Sequence, residues 1–164
     1  MSTLMKYICV FFISMVPIIE LRGAVPIGIT YFGLNEYVTL AVCIVGNMVP
    51  VPFIYLFARK ILVWGSHWKH GSGLFKWILN KGEKAGKKLT KNGSNGTFIG
   101  LMLFVGIPLP GTGAWTGTLA ASMLNMDMKK TSTAVILGVL MAGIIMLVVS
   151  LLAKAGITSV MDFF

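Results

Sequence analysis

The chain has 164 residues and a net charge of +9, yet only 12% of its residues are charged and 56% are hydrophobic. A soluble domain has about a quarter of its residues charged, so this composition argues against an ordinary water-soluble protein. The position of the charges along the chain excludes a soluble nucleic-acid binder. The 19 glycines and 6 prolines are too many for straight, uninterrupted helices. We therefore expect an all-α integral membrane protein whose helices are broken.

The first apolar stretch is too short to cross a bilayer as one helix. Crossing about 30 Å of hydrocarbon takes roughly 20 residues of helix, whereas residues 7–19 stop at the polar run Glu20–Pro26. A second short apolar piece then runs to Leu34. This pattern predicts a helix, a break and a second helix, which form either one kinked span or a re-entrant hairpin that enters and leaves on the same side.

A full-length apolar stretch follows at residues 38–58 and carries no formal charge. It contains Asn47, Pro50 and Pro52. We expect the two prolines to kink this span rather than end it, because packed neighbours can satisfy the freed backbone groups.

Residues 59–97 form a basic segment, with nine Lys and Arg residues against the single acid Glu83. The positive-inside rule predicts that such a segment is cytoplasmic. Within it, apolar residues between 64 and 89 recur near helical spacing among the lysines. This predicts an amphipathic helix on the anionic membrane surface, with a solvated basic loop as the alternative.

The second half repeats the order of the first. A short apolar piece at 98–107 stops at the run 108–114, a second short piece ends at Leu124, and residues 133–152 form a full span without charge. The sequence therefore predicts two full spans and two broken units.

The basic pair Lys129 and Lys130 bears on the topology of the second broken unit. If residues 98–124 crossed the bilayer, this pair would lie outside. A re-entrant hairpin returns it to the cytoplasmic side, as the positive-inside rule requires, and the same reasoning keeps both termini outside. We therefore favour two re-entrant hairpins over four straight spans.

The two halves also match in sequence at nearly constant offset. The matching stretches are 23–24 with 113–114, 34–35 with 124–125, and 43–46 with 135–138. Because one full span separates the hairpins, they would enter from opposite faces, as in the inverted repeats of many secondary transporters. Chance matching of Gly and Leu is the alternative. The predicted organisation is a single membrane domain, 1–164, with a first repeat 1–58, a linker 59–97 and a second repeat 98–164.

Glu20 and Arg22 are the ionisable residues inside the broken apolar units. Charged groups at membrane depth are costly and usually form pairs or mark pathways. One interpretation is a structural ion pair that caps the break. The other is that Arg22 binds an anionic headgroup or a substrate carboxylate, while Glu20 is a protonatable coupling residue.

The second break carries no charge but offers backbone donors at the start of the following helix. Such a helix N-terminus favours anions such as phosphate, and the hydroxyls of Thr112 and Thr116 lie beside it. A plain helix breaker, with Trp115 filling a packing gap, is the alternative. The candidate substrate-binding or coupling residues are Glu20, Arg22, Pro26, Asn47, Pro108, Pro110, Thr112, Trp115 and Thr116.

Two motifs carry a family resemblance: ELRGAVPIG at 20–28 and PLPGTGAWTG at 108–117. Together they resemble the bacterial and archaeal small multidrug export protein family, which is placed by similarity in the DedA superfamily beside the eukaryotic VTT-domain lipid scramblases. The resemblance implies opposed re-entrant hairpins and transport of lipid-linked substrates such as undecaprenyl phosphate, with protons as the candidate driving ion. DedA proteins typically carry arginines around the second hairpin. This chain offers there only Thr112 and the distant pair Lys129 and Lys130. Arg22 would therefore have to bind the phosphate.

The leading hypothesis is a small transporter or lipid flippase of a bacterial or archaeal cell membrane. It would act as a homodimer among membrane lipids and move an amphipathic anion. The alternatives are a proton-coupled exporter of cationic drugs, in which Glu20 alternates between proton and drug, and a non-transporting interaction or pore protein. No catalytic triad or phosphate-binding loop is recognisable, and His67 and His70 have no acid or cysteine beside them. We therefore expect no enzyme activity, cofactor or metal.

Overall fold

The computed structural model describes residues 1–66, 93–109 and 111–161, and the described part is helical with no β-strand. The expected amphipathic helix of the linker lies mostly outside these residues. The helices are α1 (Thr3–Met15), α2 (Glu20–Pro26), α3 (Glu36–Met48), α4 (Pro50–Ser66), α5 (Gly93–Gly106), α6 (Ala114–Met123) and α7 (Met128–Met161), with a π-helical turn at Ile27–Tyr31 after α2.

Two helices are long and apolar enough to cross a membrane. The first is Glu36–Phe57, with 22 residues, and the second is Met128–Gly156, with 29 residues. Helical rise gives them lengths of about 33 and 43 Å, which exceed the hydrocarbon thickness. For the described residues, the prediction of an all-helical protein with two helices long and apolar enough to span a membrane is confirmed.

Pro50 and Pro52 lie at the start of α4, directly after α3, and they do not end the span. Val49 joins the two helices in right-handed helical conformation, and its N–H bonds to the carbonyls of Val45 and Gly46. The chain therefore continues through Pro50 as one span, as the sequence predicts.

The first break lies at residues 16–19, so the prediction of a break at Glu20–Pro26 is wrong. Pro17 is the cause, because it disfavours helical geometry in the preceding residue, and Val16 is accordingly extended. Ile18 then takes a φ of 78°, and Glu20 takes a φ of 50° at the start of α2. A break of non-glycine residues with positive φ indicates that the surrounding contacts hold it in place.

The second break, residues 107–113, matches the prediction. Its turn uses Gly111 at a φ of 80° and Gly113 at a φ of 131°. Residues with a side chain rarely adopt either backbone conformation, so glycine is favoured at both positions.

Both halves have the same order: an apolar helix, a break, a short helix, a turn containing Asn, and a long span. α1 packs on α3, and α5 packs on α7. Both contacts are close, because a Cβ at Gly46 would lie 2.6 Å from the Phe11 carbonyl oxygen, and one at Gly138 would lie 2.7 Å from that of Met102. The short helices cross between halves: α2 packs on α7, and α6 packs on α4. This exchange brings the two breaks together.

Candidate functional site

The helices α1 and α2 form the first hairpin, and α5 and α6 form the second. Glu20 of the first hairpin binds the start of α6 in the second. Its Oε2 accepts the N–H of Ala114 at 3.2 Å, and its Oε1 accepts the N–H of Trp115 at 3.1 Å. These amides belong to the first turn of α6, where N–H groups have no partner within the helix and the dipole is positive. Glu20 is only 4% exposed, and its carboxylate therefore acts as an intramolecular anion at this helix end.

Gly113 allows this contact to form. A Cβ at this position would lie 2.2 Å from Glu20 Oε2 and 2.8 Å from its carboxyl carbon. Any other residue would push the carboxylate away from the amides of α6. The glycine therefore serves both the backbone conformation and the approach of Glu20.

Arg22 binds the opposite kind of helix end. Its Nη2 donates to the carbonyls of Val105 at 3.2 Å and Ile107 at 3.3 Å, and its Nη1 donates to that of Leu109. These carbonyls lie in the last turn of α5 and just beyond it, where acceptors are unpaired and the dipole is negative. The guanidinium thus caps α5, as Glu20 caps α6.

Trp115 adds a bond in the reverse direction. Its indole Nε1 donates to the carbonyl of Met15, the last residue of α1, at 3.1 Å. The second hairpin therefore caps the first helix of the first hairpin. Together, Glu20, Arg22 and Trp115 form what we call the hairpin junction.

The two candidate threonines are bonded within the second break. Thr112 Oγ1 donates to the carbonyls of Ile107 at 2.9 Å and Leu109 at 2.8 Å, which Arg22 also binds. Thr116, which is exposed, lies 3.5 Å from the Gly113 carbonyl oxygen. Both threonines therefore lie on the side of the junction that the second hairpin forms.

The remaining candidate residues make no hydrogen bond to the hairpin junction within the described part of the chain. Pro108 is half-buried in the second break, and Pro26 ends α2, where its carbonyl accepts the hydroxyl of Thr30. Asn47 is buried in α3, and its Oδ1 has no hydrogen-bond partner within the described part of the chain. Pro110 lies outside the described residues.

Sequence reasoning found the junction residues but missed their partners. An ion pair between Glu20 and Arg22 was one interpretation, whereas their hydrogen bonds go to backbone groups of the second hairpin. The signal was available in the signs of the charges, since an acid suits a helix N-terminus and a base suits a C-terminus. Within the described residues no group of three His, Cys, Asp or Glu residues could hold a metal, and His67 and His70 lie outside them.

One family model matches the chain, over residues 20–145, and its description is "Putative small multi-drug export protein". The matched segment begins at Glu20 and includes both sides of the hairpin junction. No curated protein and no solved structure matches the chain.

Proposed function

Starting from the chain's membership of the small multi-drug export protein family, we propose that it is an exporter of amphipathic anions such as lipid-linked phosphate carriers. The observation that carries this proposal is the hairpin junction, where Glu20 and Arg22 meet the ends of two broken helices. Ionisable groups and helix ends together form the kind of polar site that transporters place within the membrane.

The proposed topology is an inverted repeat of two re-entrant hairpins. α1 has 13 residues and α5 has 14, about 20 Å of helix each, which is too short to cross the hydrocarbon. The reciprocal packing of α2 on α7 and α6 on α4 supports a two-fold relation between the halves. In this arrangement the 59–97 linker is cytoplasmic, and the junction lies inside the bilayer of a bacterial or archaeal cell.

Cysteine labelling tests this topology. In a variant without Cys9 and Cys43, we expect Lys129→Cys to react with a membrane-impermeant maleimide only from the cytoplasmic side. Glu36→Cys, at the start of the first span, is the matched position and should react only from outside. Labelling of position 129 from outside would contradict the re-entrant arrangement.

Arg22 is the proposed binder of the substrate anion. Guanidinium has five N–H donors, and its bonds to the carbonyls of Val105, Ile107 and Leu109 use three of them. The half-buried side chain therefore keeps donors for a phosphate oxygen while the protein holds it in place. The exposed Thr116 and the half-buried Thr112 add hydroxyls on the same side of the junction.

Glu20 is the proposed coupling residue. A proton on its carboxylate would remove the charge that holds α6, and this would loosen the contact between the hairpins. We propose that proton binding and release at Glu20 open and close the junction during transport. A homodimer would supply the additional spans needed to enclose the polar path among membrane lipids.

Reconstitution tests the substrate class. We expect vesicles containing the protein to flip a fluorescent polyprenyl phosphate, measured by dithionite quenching, and to leave a zwitterionic fluorescent lipid in place. Arg22→Met should abolish this activity. Lys6→Met is the matched control, because Lys6 also caps a carbonyl, that of Phe32 at 3.0 Å, but lies outside the junction.

The family description favours a second candidate, a proton-coupled exporter of cationic drugs. In that case Arg22→Met would keep transport of a cationic dye, and Glu20→Gln would abolish it. The burial of Glu20 and its two amide partners leave little access for a bulky cation, so the anionic substrate is the better supported. Retained flipping in Arg22→Met vesicles would overturn it.

A further inference from the structure

Four buried oxygen atoms make no hydrogen bond within the described part of the chain. They are Thr39 Oγ1, Asn47 Oδ1, Thr118 Oγ1 and Thr131 Oγ1. Each of these residues is at most 2% exposed. A buried polar atom without a partner is costly, and such atoms in proteins are usually satisfied by bound water.

Other hydroxyls in helical segments are satisfied without water. Thr30, Thr133 and Ser150 each donate to a carbonyl one turn earlier in their own helix, at 2.6 to 2.8 Å. The threonines with unpaired oxygens also lie in or beside helices and do not use this option. Their hydroxyls are therefore available to a water molecule held between the helices.

Two of the oxygens lie on the buried face of α3. Thr39, Cys43 and Asn47 are one turn apart on the buried face of α3. Thr39 meets the turn after α2, since a Cβ at Gly28 would lie 2.4 Å from its Cγ2. The chain reverses between the two helices, so two turns, about 12 Å, lead from Thr39 to Asn47 and from Gly28 back to Glu20. Asn47 therefore lies near the depth of Glu20.

The other two oxygens lie in the second half. Thr118 is one turn after Ala114, whose N–H binds Glu20, and is buried in α6. Thr131 is in the first turn of α7, which packs on α6. Thr39 and Thr131 thus hold the same place in their two spans, each in the first turn.

We propose that these oxygens line two files of bound water, one in each half, that meet at Glu20 and carry its protons. The function of the files rests on the proposed proton coupling. Water bridges Thr39 to Asn47 in the first file and Thr131 to Thr118 in the second. A proton moves as one O–H bond breaks and the next forms, and it ends on the Glu20 carboxylate. Among the described residues, Arg22 is the charged side chain that interacts with Glu20.

Under the inverted topology the two files open on opposite faces of the membrane. Glu20 would then exchange protons with one side through α3 and with the other through α6 and α7. This is the access that a single coupling residue requires in an alternating transporter.

Hydroxyl-radical footprinting of the full-length protein in nanodiscs tests the files, because X-ray pulses oxidise side chains beside bound water. Cys43, fully buried between Thr39 and Asn47, is a native probe of the first file. Val135→Cys places a thiol one turn after Thr131 and probes the second. Val105→Cys is the control, an equally buried thiol in the contact of α5 with Gly138.

We expect Cys43 and the thiol of Val135→Cys to oxidise at least about fivefold faster than that of Val105→Cys, because water lies beside them. Thr39→Val should slow oxidation of Cys43 alone, and Thr131→Val should slow oxidation at position 135 alone. Misfolding would instead raise oxidation at all three positions. Equal, slow oxidation of all three thiols in the parent chain would overturn the proposal.

This measurement is independent of transport. If Cys43 oxidised as slowly as the control thiol in protein that still couples export to protons, the water files would be overturned and the proposed function would stand. Fast oxidation of Cys43 in protein without proton coupling would support the files as bound water and overturn the coupling instead.

Discussion

The first break, at residues 16–19, and the second break, at 107–113, both interrupt an apolar helix, yet they bring different groups to the junction. The first is followed by two charged side chains, Glu20 and Arg22. The second carries no charge and offers the amides of α6 and the carbonyls that end α5. One hairpin therefore supplies charges, and the other supplies the ends of helix dipoles.

This difference explains how a broken helix can persist between apolar helices. Buried backbone groups without a hydrogen-bond partner are costly, and so are buried charges without one. At the junction each cost offsets the other, because the acid meets free N–H groups and the base meets free carbonyls. Substitutions on either side should therefore destabilise the same contact. The loss in the free energy of unfolding that each one causes ranks the individual bonds.

The largest effect is expected at the closest contact between the two sides. Gly113→Ala adds a Cβ that overlaps the Glu20 carboxylate and strains the backbone, and should lower the free energy of unfolding by about 3 kcal/mol. Thermal unfolding in detergent, followed by circular dichroism, measures the loss. Gly111→Ala is the control: its φ is also positive but nothing lies within 4 Å, so about 1 kcal/mol is expected. Equal losses would contradict the close approach of Glu20.

Neutralising the acid isolates the charge on the first side. Glu20→Gln keeps the size of the side chain but removes its attraction to the start of α6, and should cost about 2 kcal/mol. The same unfolding measurement applies. Glu36→Gln changes an acid in the first turn of α3 and should cost only about 0.5 kcal/mol. If Glu20→Gln lowered the free energy of unfolding no more than Glu36→Gln, the charge of Glu20 would not be what holds α6.

Replacing the base tests geometry at constant charge. Arg22→Lys keeps the positive charge but cannot reach the carbonyls of Val105, Ile107 and Leu109 together, so a loss of about 1.5 kcal/mol is expected. Arg22→Lys protein should also flip the anionic lipid more slowly than the parent chain. Unchanged stability would mean that Arg22 acts only as a charge.

The smallest effect is expected for the bond that runs from the second hairpin to the first. Trp115→Phe keeps an aromatic ring but loses the N–H that binds the Met15 carbonyl, and should cost about 1 kcal/mol. Tyr37→Phe, which removes a hydroxyl at a largely exposed position, should change stability by less than about 0.5 kcal/mol. Comparable losses from the two variants would remove Trp115 from the junction.

The fold was predictable where hydropathy and length decide it. The two spans follow from long apolar runs without charge, and the second break follows from its prolines and glycines. The first break was misplaced because Glu20 and Arg22 were taken as the interruption. Pro17 was the better signal, since it acts on the residue before it, and the polar run itself forms α2.

The candidate site was predictable in its residues but not in its bonds. Charge at membrane depth singled out Glu20 and Arg22, and the run after Pro108 predicted free amides at a helix start. Which anion meets those amides depends on how the two hairpins pack. That packing is set by contacts between residues nearly a hundred positions apart, which no local pattern encodes. Likewise, only the folded structure shows that Asn47 is buried and that its Oδ1 has no hydrogen-bond partner among the described residues.

The most direct test of the hairpin junction is the distance between Glu20 and the start of α6. Solid-state NMR can measure it in lipid by dipolar recoupling between a ¹³C-labelled Glu20 carboxyl carbon and the ¹⁵N-labelled amide of Trp115. The hydrogen bond of 3.1 Å to Oε1 predicts a carbon–nitrogen distance of about 4 Å. Strong dephasing at that distance would confirm that the first hairpin's acid caps the second hairpin's helix. Absence of dephasing in folded protein would contradict the junction.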